Sequence, residues 1–112
     1  MNSVVLVGRL TRDPDIRDTT TETAMTVLRL AVPRGRDDDE PVYVDVVCFG
    51  RLALSAGTFL AKGRLVGVTG RLGHREWTAR DGRRRSHHEV VAQSLQYLDG
   101  APRVAERPAV SR

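Results

Sequence analysis

The chain has 112 residues, 40% of them hydrophobic and 29% charged, with a net charge of +4 and one cysteine, Cys48. That length suits one domain with a real core, and a single cysteine excludes an intrachain disulfide or a C-x-x-C zinc site, so a reducing, cytoplasmic setting is the expectation. The opening MNSVVLVGRL is interrupted by Arg9 too soon to read as a signal peptide or a membrane span.

In chain order, Val4 to Leu10 is a short β-branched run stopped by Asp13-Pro14, and it reads as the first strand. A polar connection, Thr19 to Thr23, leads to a second strand over Met25 to Val32. There Leu28, Leu30 and Val32 share one side and Val27, Arg29 and Ala31 the other. Arg34 to Pro41 is a loop that carries the acidic run Asp37 to Glu40. The third strand, Val42 to Phe49, puts Val44, Val46 and Cys48 on one face and Tyr43, Asp45, Val47 and Phe49 on the other. The first set reads as core, with Cys48 a small buried hydrophobe. The second mixes two of the few aromatic residues with a carboxylate, which is an odd composition for a core.

From Leu52 to Leu60 the period changes: Leu52, Ala53, Ala56, Phe59 and Leu60 follow helical spacing, with Lys62-Gly63 as the expected terminal cation and glycine. Leu65 to Leu72 is the fourth strand and Glu89 to Leu95 the fifth, with Asp81-Gly82 as a hairpin signal between them. After Leu98 the pattern dissolves into DGAPRVAERPAVSR. The division expected is therefore a folded domain over 1–98 and a short disordered basic tail over 99–112. Three strands, a helix and two strands follow the order of an all-β, five-stranded Greek-key OB-fold barrel with one helix between strands three and four.

Charge points to a partner. Seventeen of the eighteen cations are arginine, whose planar guanidinium can fork onto a phosphate or lie on a base. Nucleic acid is the first partner to consider, although GC-rich coding also enriches arginine and scattered cations make an ordinary solvated surface. The segment HREWTARDGRRRSHHEV adds weight, because the sole tryptophan, Trp77, sits there among five arginines and three histidines with almost no apolar neighbours. Two roles are open to it on these grounds, an exposed platform or a cap over a barrel mouth.

Taken together, NSVVLVGRLTRDPDIR, LRLAVPR, VDVVCFGRLA, FLAKG, VTGRL, REWTARDGRRR and EVVAQSLQYL recur in order from Asn2 to Leu98 and resemble the bacterial single-stranded DNA-binding protein family. The resemblance implies a homo-oligomer, usually a homotetramer, that binds single-stranded DNA without sequence preference, in replication, recombination, repair or transformation. It implies that Tyr43, Phe49 and Trp77 are stacking platforms. Arg17, Arg51, Lys62 and Arg75 match positions that are usually basic, and by position Arg9, Arg34 and Arg36 join them along the path of the strand. Arg83 to Arg85 are expected at a hairpin tip.

The chain also departs from that family. Arg36 stands nearest to where a further tryptophan is common, Asp45 where a basic or neutral polar residue is common, and Glu76 where a lysine is frequent. The sequence given closes on VSR, without the acidic tip by which typical members recruit repair enzymes, so that recruitment is not expected and a short paralogue is. Other roles stay open: Tyr43 and Phe49 could pack on a neighbouring subunit, and Phe59 fits core better than surface. An OB-fold interaction module of a primosome-like assembly is the competing reading of the whole. No nucleophile elbow, phosphate loop or plausible Cys-His pair is present, so no enzyme is expected. Adjacent strand residues such as His87 and His88 point to opposite faces, and no metal or cofactor is expected.

Overall fold

The computed structural model describes residues 1–36 and 40–99. Its elements are β1 (Val4–Leu10), β2 (Asp15–Asp18), β3 (Met25–Val32), β4 (Val42–Phe49), α1 (Gly50–Phe59), β5 (Leu65–Thr78) and β6 (Arg84–Tyr97). β1 runs antiparallel to β5 from Val4↔Gly70 to Arg9↔Leu65, and β5 pairs with β6 along the length of the final hairpin. β6 then lies parallel to β4 through Val46↔Val90 and Val47↔Val91, and β4 pairs with β3 from Val32↔Val42 to Met25↔Phe49. β3 returns to β1 through Arg9↔Ala31 and Leu10↔Leu30, which closes the sheet. A closed barrel whose one helix joins the strand before β5 is the OB arrangement.

Alternation along the strands sends Leu28, Leu30, Val46, Cys48, Val66, Val68 and Val90 inward, and Ala53, Ala56 and Leu60 pack against them from α1 and its end. Each buried valine or leucine stabilises the fold by about 1.5 to 3 kcal/mol relative to exposure. Burial pushes the Cys48 thiol up to about 12, as expected for a side chain that behaves as a small hydrophobe. The last hairpin keeps its apolar residues inward through a register shift at Thr69/Gly70, where Gln93 is the extra residue of β6. The backbones approach so closely there that a Cβ on Gly70 would lie 2.1 Å from the carbonyl oxygen of Val91. The hairpin turns through Arg80, Asp81 and Gly82, with Gly82 at φ 83° and the Asp81 carboxylate accepting the Arg83 N–H at 3.0 Å.

Several boundaries differ from the sequence reading. The barrel carries a sixth, short strand, β2, which pairs with β3 directly after the Asp13-Pro14 breaker. Its exposed Ile16 and charged neighbours gave no alternation to read. β5 and β6 extend to Thr78 and back to Arg84, because a hairpin ladder needs no apolar period once its turn is set. α1 starts at Gly50 and ends at Phe59, so Lys62 lies outside its last turn, and Gly63, at φ 90°, serves the turn into β5 by donating its N–H to the Leu10 carbonyl at 2.8 Å. Asp99, assigned to the tail, accepts the Leu65 N–H at 3.0 Å and so belongs to the barrel. The remainder of the tail and the acidic residues 37–39 lie outside the described residues.

Candidate nucleic-acid interface

The parallel pairing Val47↔Val91 puts the outward residues of β4 and β6 on one face, and the antiparallel ladder extends that face to β5. Tyr43, Asp45 and Phe49 therefore share it with Arg85, His87 and Glu89 of β6, and with Arg75 and Trp77 of β5. Tyr43, Phe49 and Trp77 are 51%, 52% and 44% exposed. Trp77 does not join the buried core, so the mouth-capping role is not the one it takes. Phe49 is also the residue from which α1 departs, which holds its backbone fixed at the base of the helix.

Two repeats of one arrangement organise this face. The Arg29 guanidinium stands over the Tyr43 ring at 5.4 Å and donates to the Asp45 carboxylate at 3.1 Å. The Arg75 guanidinium stands over the Trp77 ring at 5.4 Å and pairs with Glu89 at 3.3 Å. His87 joins the two, with its Nε2 3.2 Å from Asp45 and 3.8 Å from Glu89. Each ring thus has a cation on one side and is polarised by it. Beneath the polar cluster, Val27 and Val47 are buried on the same outward face, and Val91 beside them is half-buried.

The expected cations divide into separate groups. Only Arg75 belongs to this cluster. Arg9 is turned to another side, where it donates to the Gly63 carbonyl at 3.0 Å and contacts Asp99 at 3.4 Å. It lines an open groove of ≈ 460 Å³ together with Arg36, Val7, Pro33, Pro41 and Leu65. Arg34 and Arg36 are exposed in the loop after β3, Arg51 is exposed two residues beyond Phe49, and Lys62 is exposed in the turn after α1. Arg17, on β2, pairs with Asp15 at 2.8 Å and holds that carboxyl below its ordinary range. At the hairpin, Arg84 pairs with Glu76 and Arg85 with Asp81.

Phe59 corrects the expectation of a core role: it is 51% exposed, its ring 6.1 Å from that of Tyr97, whose hydroxyl contacts Ser55. Arg29 and Glu89 are not among the site residues expected from sequence, which considers His87 as a metal ligand and sets that role aside. The signal for Arg29 lay in the register, since antiparallel pairing of the second and third strands sets Arg29 opposite Asp45.

The profile of the single-strand binding protein family matches residues 1–98 of this sequence. This chain belongs to that family. It is 43% identical over 103 residues to a single-stranded DNA-binding protein of Clostridium tetani, covering 88% of this chain and 71% of the relative. It is 41% identical over 107 residues to one of Thermotoga maritima, covering 90% and 76%. With one of Bacillus cereus it shares 40% over 103 residues, covering 88% and 61%. In this member of the single-strand binding family the unusual carboxylate at Asp45 is engaged by Arg29 and His87.

Proposed function

We propose that this chain is a non-enzymatic protein that binds single-stranded DNA without reading its sequence, through a folded unit spanning residues 1–98. The supporting observation is that three of the five aromatic rings stand about half exposed on one outward face beside arginines, while the core is built without them. Every base has an apolar π-face, so stacking on Tyr43, Phe49 and Trp77 gives affinity that does not depend on sequence. The exposed Arg34, Arg36, Arg51 and Lys62 hold the backbone, while Arg75, and Arg9 and Arg17 for a strand that wraps further round the barrel, contribute less because each already faces a carboxylate. Relatives named as single-stranded DNA-binding proteins agree with this reading.

The working form we propose is a homo-oligomer, a homotetramer by resemblance, in the cytoplasm, serving replication, recombination, repair or transformation. In support, among the described residues β1 pairs with β3 only at Arg9 and Leu10, so the outer edge of Val4–Val7 has no strand partner, and Val5 and Val7 are exposed. Such an edge is a template for another strand. No helix among the described residues is long and apolar enough to cross a membrane.

Trp77 reports on the proposal directly. Its emission is expected to be quenched when oligo(dT) is added at low salt and restored when salt is raised. An unresponsive signal with a folded protein would instead favour a protein-contact role for these rings.

A further inference from the structure

Asp45 sits where an anion is least expected on a face that receives DNA. Its two carboxylate oxygens face two different basic side chains: Oδ1 accepts from Arg29 Nη1 at 3.1 Å, and Oδ2 lies 3.2 Å from His87 Nε2. A phosphodiester also presents two non-bridging oxygens, and a guanidinium beside an imidazole is the type of pair that takes them. Arg29 and His87 keep 40% and 34% of their side chains exposed, and the Asp45 carboxylate 19%. Water therefore reaches the cluster, and an exchange of partners needs no unfolding. Glu89 is the contrast: at 9% it is sealed, so its hold on Arg75 is a fixture of the hairpin.

We infer that Asp45 is an internal stand-in for phosphate. It occupies a two-pronged site, Arg29 and His87, which accepts a backbone phosphate of the bound strand when that phosphate displaces it. This rests on the reading of the face as a DNA surface, and it adds that the face is held weaker than its cations allow. The site next to Tyr43 carries a guanidinium already neutralised by the chain, so a phosphate arriving there gains little net charge attraction. Freeing the site adds one phosphate-neutralising cation, which for single strands steepens the slope of log K against log[salt] by about 0.7.

The test compares wild type, Asp45→Asn, Arg29→Gln and the double variant, by anisotropy of a labelled oligo(dT) across a sodium chloride series. Asn keeps an oxygen for Arg29 but removes the charge. Asp45→Asn is expected to bind about fivefold tighter at low salt, with the slope steeper by about 0.7 and the advantage fading as salt rises. In the Arg29→Gln background that gain should vanish. Asp45→Thr, suited to a strand, replaces Asn if thermal melting shows a folding loss. Equal or weaker binding with an unchanged slope overturns the inference and makes Asp45 an orienting residue for Arg29. Folded wild type that ignores oligo(dT) overturns the reading of the face itself, and the inference with it.

Discussion

Trp77 and Cys48 show how differently two single residues of this chain are used. Trp77, with Arg75 over its ring and 44% exposed, offers ring surface that no other described residue covers. Trp77→Ala is expected to weaken oligo(dT) binding by about 1 to 3 kcal/mol, the value of one stacked base, while the melting temperature and light-scattering mass stay as in wild type. A change in mass would assign the ring to a subunit contact. Cys48 lies at the opposite limit. Its thiol ionises at 9.0 in an ordinary setting and is pushed up to about 12 by burial. The unfolded chain therefore releases a proton that the folded chain keeps, so Cys48 contributes stability that is intact below about pH 9 and lost as pH rises towards 12. Urea midpoints at neutral and at alkaline pH should show that fall in wild type and a smaller one in Cys48→Ala.

Among the elements, the β5–β6 hairpin sets the geometry of the face, and two of its glycines make opposite predictions. Gly70→Ala drives a methyl group to within 2.1 Å of the Val91 carbonyl oxygen, so it is expected to destabilise by about 2 kcal/mol or more, read from urea unfolding. Gly82→Asn, at φ 83° with no atom near, should fold almost as well as wild type, since asparagine visits that region. These elements were legible to unequal degrees. The inward set of β4 and the Asp-Gly turn could be read because period two and turn chemistry are local. β2 could not, because four charged or exposed residues form a strand only when β3 offers an edge. The far half of the hairpin was hidden for the same reason, as Glu76 and Arg84 carry no apolar alternation. In the site, Tyr43 and Phe49 were visible as one face of one strand. The bridging of Asp45 to Glu89 by His87 was not, because it depends on a parallel contact between strands over forty residues apart in sequence.

For the whole molecule, the excess of arginine overstates what DNA can use. Arg17, Arg29, Arg75, Arg84 and Arg85 already face carboxylates within ion-pair distance. Each neutralised phosphate contributes about 0.7 to the salt slope, so we expect a slope of about −2 to −4 per protomer in a titration of oligo(dT) against salt. A much steeper slope would mean that the bound strand is neutralised by more cations than the exposed Arg34, Arg36, Arg51 and Lys62.

The final hairpin has one more consequence. Its strands are 14 residues each, but β1 flanks β5 only as far as Gly70, and β4 flanks β6 only at Val90 and Val91. Beyond those points it is a two-stranded ribbon, the form of sheet most free to twist and bend. Trp77 rides on that ribbon while Phe49 is anchored to the helix base, so the span between these two rings is elastic, and with both as the proposed platforms one protein would follow polynucleotide tracks of different curvature.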